Sequence, residues 1–177
     1  PRGRGAVGFP GLLTRLDSID GLERIRFMTS HPKDLKGDLI SAIRDLPSVC
    51  EHMHLPVQSG SSRILKRMKR AYTREHYQEL VQALFVAVPA LTLTTDLIVG
   101  FPGEQEEDFY RTLTLIEECR FDGAFTFRYS PRPGTQAANL PGLVPELTIK
   151  RRLQEVVHLT PQTARWNERV LAGPHLA

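Results

Sequence analysis

A polar segment that could hold a ligand follows an apolar run in the first third of the chain. The hydrogen-bonding side chains that follow Val57 are Gln58, Ser59, Ser61 and Ser62. Gly60 lies among them, and glycine lets backbone approach a ligand closely. In parallel α/β folds, ligands collect at the carboxyl ends of the strands. The segment therefore predicts a binding site at the end of a strand.

Two later apolar runs bring further polar residues to the same predicted edge. Asp96 lies in one run, Tyr129 ends the next, and Arg70 lies on the helix after the first. A carboxylate and a glutamine amide can hold ribose hydroxyls, and an arginine can pair with a carboxylate through two hydrogen bonds. Backbone around Gly100 could pack against a flat base. The set predicts a ligand with hydroxyls, a carboxylate and an aromatic ring.

Each candidate also has a purely structural interpretation. An unpaired carboxylate in an apolar strand is costly, so Asp96 needs either a ligand or a buried partner. Ser59 and Ser61 are of a type that caps helices, and Arg70 can be a solvated base. Glu104 is typical of an acid at the start of a helix. Both interpretations remain open from the residues alone.

Three histidines are candidates for chemistry. His52 and His54 alternate along a predicted strand, so they share a face at a spacing that could bind metal. We expect no third ligand beside them, which favours core or surface histidines. His31 precedes a proline at a strand end, where it could face a substrate or make a hydrogen bond within a turn.

A basic run lies between residues 63 and 74. Its members, with no acid among them, are Arg63, Lys66, Arg67, Lys69, Arg70 and Arg74. Such a local positive potential suits phosphates, and a solvated helix face is the alternative. The run therefore permits contact with nucleic acid without requiring it.

The elements that must position these residues alternate along the chain. Strands are predicted over 24–28, 52–57, 91–99 and 124–129, and helices over 35–46, 77–88 and 106–119. This alternation predicts βαβ units and a parallel sheet. No Gly-x-Gly-x-x-Gly follows a strand, which argues against a doubly wound fold, and four strands are too few to close a barrel. We expect an α/β fold that is an incomplete TIM-like barrel.

The C-terminal part has a different pattern. We expect residues 1–140 to form the barrel portion, and residues 141–177 to form a linker and a connector helix. The helical pattern begins at Glu146, and Pro161 is expected to break or kink it.

Composition limits the class of protein. The 177 residues carry a net charge of +3 and are 41% hydrophobic. Cys50 and Cys119 are far apart, so neither a disulfide nor a cysteine metal pair is expected. No run of about 18 apolar residues or signal-peptide pattern occurs. These features predict a chain without a membrane anchor, in the cytoplasm or an organelle matrix.

Five segments together resemble a known family. They are TSHPKD at 29–34, HLPVQSGS at 54–61, RAYTRE at 70–75, TDLIVGFPGE at 95–104 and YSPRPGT at 129–135. In order and spacing they resemble the motifs of radical S-adenosylmethionine methylthiotransferases, over residues 9–152. The first segment resembles the branch that acts on transfer RNA carrying an isopentenylated adenosine beside the anticodon.

The resemblance implies a function and a cofactor. An iron–sulfur cluster would cleave S-adenosylmethionine, and the resulting 5′-deoxyadenosyl radical would take hydrogen from C2 of the adenine before a methylthio group is installed. The implied cofactor contacts are Gln58 at the ribose, Arg70 at the methionine carboxylate, Ser59 and Asp96 at other polar groups, and Gly100 and Tyr129 around the adenine. The implied tRNA contacts are His31, Arg63, Arg67 and Arg74. The parent enzyme is expected to be a cytoplasmic monomer.

The chain departs from that family in one important respect. The family binds its radical 4Fe-4S cluster with a Cys-x-x-x-Cys-x-x-Cys loop and a second cluster with three further cysteines, and this sequence has neither set. We therefore expect a fragment of the barrel that is inactive alone, with the clusters bound by other parts of a parent protein and a missing RNA-binding domain. Alternatives are a non-catalytic tRNA-binding remnant, a methylthiotransferase with another substrate, and a barrel enzyme with another cofactor.

Overall fold

A computed structural model describes residues 8–28 and 31–172. Thr29 and Ser30, which begin the first family-like segment, lie outside the described residues, as does the stretch before Gly8. The helices are α1 Phe9–Asp17, α2 Gly37–Asp45, α3 Ser62–Arg67, α4 Arg74–Ala87, α5 Glu106–Cys119 and α6 Glu146–Ala172. The strands are β1 His52–His54, β2 Thr92–Val99 and β3 Gly123–Arg128, and short 3-10 turns cover Pro32–Asp34 and Gln136–Asn139.

The three strands form one parallel sheet in the order β1, β2, β3. Helices connect successive strands, as parallel pairing requires. The predicted α/β class is therefore confirmed, whereas the sheet of the described residues is open and does not close into a barrel.

Two predicted strands are shorter than expected. The strand predicted over 24–28 is reduced to one parallel bridge between Ile25 and Val49. The segment that pairs with it is short, because α2 ends at Asp45, only four residues before Val49. The strand predicted over 52–57 ends at His54, and pairing with β2 resumes at Gln58. Pro56 lies in the gap, and proline has no N–H to donate to a ladder.

The two faces of the sheet differ. On β2, Leu93, Leu97 and Val99 are buried, whereas Thr94, Asp96 and Ile98 alternate with them and remain partly exposed. The buried face packs on the helices and forms the core with residues such as Met53, Tyr77, Leu84, Phe109 and Ile116. The other face carries Phe125 and Phe127, which are 60% and 53% exposed. We call this second surface the open face.

Local signals explain why the helices begin where they do. Thr73 is the N-cap of α4, and its hydroxyl accepts a hydrogen bond from the backbone N–H of His76. Gln105 and Asp108 form a capping box at α5, whose first turn is acidic and suits the positive end of the helix. These caps fix the helices that flank the polar strand ends.

α6 runs through Pro161 without ending, so of the two predicted effects the break is wrong, whereas the kink stays a prediction. A proline removes one backbone hydrogen bond, and helical turns on both sides can carry the segment past it. Ile149 and Val156 of α6 are buried in the same core as the strands. The proposed division near residue 140 stays a prediction.

Within the described ranges, no helix has the length and apolarity that crossing a membrane requires.

Candidate functional site

Gln58 lies beside Asp96 at the junction of β1 and β2. The backbone N–H of Gln58 donates to the carbonyl of Asp96 at 2.8 Å, and the N–H of Ile98 donates to the carbonyl of Gln58 at 2.9 Å. Gln58 has φ of 75°, a left-handed conformation that is uncommon for a residue with a side chain. This left-handed backbone interrupts the alternation of side chains between the two faces of the sheet. The Gln58 side chain is buried.

Asp96 projects on the open face and has a protein partner there. Its Oδ1 lies 3.4 Å from Nε2 of His54, and its own side chain is 27% exposed. The Nδ1 atom of His54 lies 3.0 Å from the hydroxyl oxygen of Thr94. The structural partner expected for Asp96 therefore exists, and the carboxylate is still accessible from the open face.

The polar turn after Gln58 is tied to α5 by its serines. Ser61 is the N-cap of α3, and its hydroxyl donates to Asp108 at 2.6 Å. The hydroxyl of Ser59 accepts from the N–H of Ser61 at 3.2 Å. A Cβ placed on Gly60 would meet the Arg111 carbonyl and lie 2.5 Å from the Thr112 Cα. α5 therefore occupies the side of Gly60 on which a side chain would stand, and contact of the Gly60 backbone with a ligand stays a prediction.

Arg70 lies near an aromatic pair at the same edge. The rings of His31 and Tyr72 meet edge to face with centroids 5.2 Å apart. Tyr72 donates to the Val57 carbonyl at 3.0 Å, and burial raises its pKa to about 12. Burial, followed by the charge of Arg70, lowers the pKa of His31, whose Nδ1 accepts from the N–H of Lys33 at 3.3 Å. The turn hydrogen bond expected as one role of His31 is present.

The loop after β2 is held by a buried acid. The Glu104 carboxylate accepts from the N–H groups of Gly100 at 2.8 Å and Phe101 at 3.3 Å. It also pairs with Arg152 of α6 at 2.7 Å, with both side chains 4% exposed. Burial raises the pKa of Glu104 against the opposing effect of Arg152. Glu104 is therefore not the simple first-turn acid that was one expectation, since α5 begins only at Glu106.

Gly100 has φ of 76° and faces α6. A Cβ there would lie 2.5 Å from Cγ1 of Ile149, so the open side of this glycine is filled by protein. Tyr129 follows β3, and its backbone N–H donates to the Val99 carbonyl at 2.8 Å. Its ring meets Phe101 edge to face with centroids 5.1 Å apart, and its buried hydroxyl has no hydrogen-bond partner within the described part of the chain. A buried hydroxyl in that state is suited to pairing with a ligand.

Three arginines of the basic run have partners within the chain. Arg63 pairs with Asp108 and donates to the Gly103 carbonyl at 2.7 Å. Arg67 donates to the Pro102 carbonyl at 3.1 Å. Arg74 pairs with Glu118 at 2.5 Å and donates to the Gly60 carbonyl at 3.2 Å. These contacts join α3 and α4 to α5 and the loop after β2, and a role of the three arginines in binding tRNA stays a prediction.

The sequence does not predict two of the pairings in this region. It offers His54 only as a possible metal ligand, with a core or surface position favoured, and it gives Arg152 no role. The alternation of His52, His54, Thr94 and Asp96 on paired strands was the available signal for His54. Arg152 gave no local signal, because its partner Glu104 is 48 positions away.

The described residues contain no group of three or more histidine, cysteine or acidic side chains placed to hold a metal. Cys119 is buried, and its pKa is raised to about 12 by that burial. Cys50 is partly exposed in the bridge region before β1. These cysteines do not fit the three-thiolate ligation of a cluster.

Comparisons with known proteins agree with the sequence motifs. The sequence profile of the Radical SAM superfamily matches residues 8–116. Proteins named tRNA-2-methylthio-N(6)-dimethylallyladenosine synthase are 56% identical over 153 residues in Thermoanaerobacter pseudethanolicus and 51% identical over 170 residues in Moorella thermoacetica. The first match covers 86% of this chain and 32% of that relative. The second match covers 96% of this chain and 38% of that relative. The chain thus spans about a third of the length of these relatives.

One solved structure shares the fold. It is described as coproporphyrinogen III oxidase (HemN) from Escherichia coli, a radical SAM enzyme, and superposes with a TM-score of 0.61. The match covers 75% of this chain and 31% of that chain at 20% identity. At this identity the likeness shows the fold alone.

Proposed function

Because this chain belongs to the radical SAM superfamily, we propose that it forms the later part of the barrel of a tRNA methylthiotransferase. The reaction proposed is addition of a methylthio group to C2 of N6-isopentenyladenosine beside the anticodon. The observation that carries the proposal is the 56% identity, over 86% of this chain, to a protein whose name specifies that modified nucleoside.

The open face and its edge offer groups that fit S-adenosylmethionine. Asp96 and Gln58 would hold the ribose, and Arg70 would pair with the methionine carboxylate. Tyr129 supports this assignment because its buried hydroxyl has no hydrogen-bond partner among the residues that the structure describes. Ser59 and Gly100 would contribute mainly through the backbone shape of their loops, since both face protein. When bound, S-adenosylmethionine supplies the methyl group and the radical chemistry.

The iron–sulfur clusters would be held by other segments of a longer polypeptide. The two cysteines of this chain do not provide a set of three thiolates. The residues of this chain would bind and orient the adenosyl part of the cofactor on the open face, and the sheet beneath it would exclude water from that side of the ligand. A tRNA substrate would place the protein in the cytoplasm, and we propose a monomer.

The tRNA would approach the edge of the sheet where the basic run lies. Arg63 is about half exposed although it pairs with Asp108, so its outer surface can still meet a phosphate. Arg67 would contribute through the exposed part of its side chain, and His31 would meet the nucleoside. The Arg74 side chain is 11% exposed and pairs with Glu118, so Arg74 would contribute mainly through the positive potential of the run. These assignments rest on the positive charge of the run and its position beside the polar strand ends.

A chimera tests the proposal directly. This chain replaces the matching third of the Thermoanaerobacter pseudethanolicus relative, and the chimera is given tRNA from cells that cannot methylthiolate it. We expect mass spectrometry of the nucleosides to detect the methylthio product. Asp96→Asn in the chimera should reduce the product at least tenfold, whereas Asp20→Asn, an exposed change outside the site, should leave it unchanged.

The chimera also has a clear failing outcome. A folded chimera that carries its clusters and binds tRNA but forms no methylthio nucleoside would contradict the proposed reaction. If Asp96→Asn leaves the amount of methylthio product unchanged, the proposed reaction stands and the proposed contact between Asp96 and the cofactor is wrong.

A further inference from the structure

A histidine, a carboxylate and a hydroxyl form a connected cluster on the open face. They are His54 of β1 and Thr94 and Asp96 of β2. In the parallel register His54 is opposite Thr94, and Asp96 follows two positions later on the same face. The cluster lies where β1, an outer strand of the described sheet, pairs with the central strand β2, and β3 pairs with β2 on the other side of Asp96.

The ring of His54 is held firmly in one orientation. Its side chain is 6% exposed, and the edge-to-face contact with Phe125 has a centroid distance of 6.0 Å. Nδ1 lies 3.0 Å from the Thr94 hydroxyl oxygen, and Nε2 lies 3.4 Å from Oδ1 of Asp96. With the proton on Nε2, the ring faces Asp96 as a donor and accepts from Thr94 at Nδ1. Both nitrogens are then used within the protein.

The carboxylate that His54 faces is only partly covered. The contact involves Oδ1, and the side chain of Asp96 retains 27% of its exposure. A carboxylate whose one oxygen faces a fixed donor presents the other in a defined direction, which lowers the entropy lost when a ligand binds. The cluster is not a metal site, because the described residues supply no third ligand beside it.

We propose that His54 is a positioning residue that orients Asp96 to accept a hydrogen bond from a ribose hydroxyl of the adenosyl ligand. This inference rests on the proposed function, in which the open face binds S-adenosylmethionine. Carboxylates accept strongly from vicinal hydroxyls, and the neighbouring Phe125 gives the ligand an apolar surface. His54 itself does not touch the ligand, since its nitrogens face Thr94 and Asp96.

A comparison of nucleosides isolates the hydroxyl contact. Binding of 5′-deoxyadenosine and of its 2′-deoxy and 3′-deoxy counterparts to this chain is measured by NMR titration. We expect the unsubstituted protein to bind 5′-deoxyadenosine about tenfold more tightly than at least one of the deoxy forms, as a charge-assisted hydrogen bond would give. His54→Phe should reduce this preference to less than threefold, and His54→Gln, which retains a donor, should give an intermediate value.

A matched control comes from the same strand. His52 lies two residues earlier, and His52→Phe should leave the hydroxyl preference unchanged. Because His54→Phe could affect folding, Thr94→Val provides a second route. It removes the partner of Nδ1 and should weaken the preference while His54 remains. In the protein without ligand, ¹⁵N spectra of His54 should show the proton on Nε2.

The outcomes separate this inference from the function on which it rests. A hydroxyl preference that survives both His54→Phe and Thr94→Val, or a proton on Nδ1 of His54, would overturn the positioning role and leave the cofactor site intact. Failure of all three nucleosides to bind at millimolar concentration would overturn this inference and the adenosyl site in this chain. The chimera then decides separately whether the reaction itself is assigned correctly.

Discussion

The carboxylate of Glu104 and the guanidinium of Arg152 form an ion pair at 2.7 Å in which both side chains are almost fully buried. Glu104 follows β2, and Arg152 belongs to α6, so the pair joins the last helix to the loop at the end of the central strand. Arg152 also donates to Glu106 at 2.9 Å and lies 5.2 Å from the centroid of the Phe109 ring. The pair therefore links three elements around one loop.

Removing one partner of this pair should strongly destabilise the chain. Arg152→Met leaves the Glu104 carboxylate buried without its cation, and loss of one member of a buried pair costs about 3–5 kcal/mol. Urea denaturation should show a loss of that size in the free energy of unfolding. Arg151→Met is the control, because Arg151 is exposed in its pairs with Glu106 and Glu155. An equal loss in the two variants would contradict the special role of the buried pair.

The stability of the chain should depend on Asp108 at acid pH. Burial acts to raise its pKa, but hydrogen bonds from Arg63, Ser61 and the Gln105 backbone together hold the pKa below its ordinary value of 3.8. Folding thus favours the ionised form of Asp108. Its contribution to the free energy of unfolding is fully present above pH 3.8 and is lost as the pH falls through the lower pKa of the folded state. Unfolding free energies from pH 6 to pH 2 should decline less steeply in Asp108→Asn. The exposed change Asp20→Asn should follow the unsubstituted protein.

Gly60 should not tolerate a methyl group. Its Cβ would meet backbone atoms of α5 at Arg111 and Thr112, which cannot move as a flexible side chain could. Gly60→Ala should lower the free energy of unfolding by about 1–3 kcal/mol, the usual cost of overpacking. Gly37→Ala is the matched control, since nothing lies within 4 Å of its Cβ position. A Gly60→Ala protein as stable as Gly37→Ala would show that α5 is free to shift.

This chain alone should not cleave S-adenosylmethionine. It has two cysteines on separate elements, whereas a cluster of the kind proposed needs three thiolates from the protein. After incubation with iron, sulfide and a reductant, we expect no 5′-deoxyadenosine by chromatography. The full-length Thermoanaerobacter pseudethanolicus relative, treated identically, serves as the positive control. Product above the protein-free background would show that this chain ligates a cluster unaided.

The sequence predicted those parts of the fold that have local causes. α5 has the bounds expected for it, because its capping box, acidic first turn and apolar spacing all lie within it. The cap of α4 at Thr73 also has a local cause, because the Thr73 hydroxyl accepts from a backbone N–H three residues later. The resemblance to radical S-adenosylmethionine methylthiotransferases is confirmed by the superfamily match and the relatives. Ordered motifs are specific in a way that single residues are not.

Other parts depend on contacts between distant segments. The pairing of His54 with Asp96 requires the β1–β2 register, and that of Glu104 with Arg152 requires α6 to fold back on the loop after β2. Gly60 and Gly100 were expected to face a ligand, but α5 and α6 fill the space beside them. A glycine in the sequence indicates close approach without identifying what approaches. The strand predicted over 24–28 likewise depended on a partner segment that pairs at one residue.

The contact between Ile149 and Gly100 has a practical consequence for anyone who shortens this polypeptide. A version that ends at residue 140 would lack Ile149, which covers the bend after β2 at Gly100. It would also lack Arg152, so the buried Glu104 carboxylate would have no counterion. Expression boundaries for the recombinant fragment should therefore lie beyond Val156, whose side chain is completely enclosed.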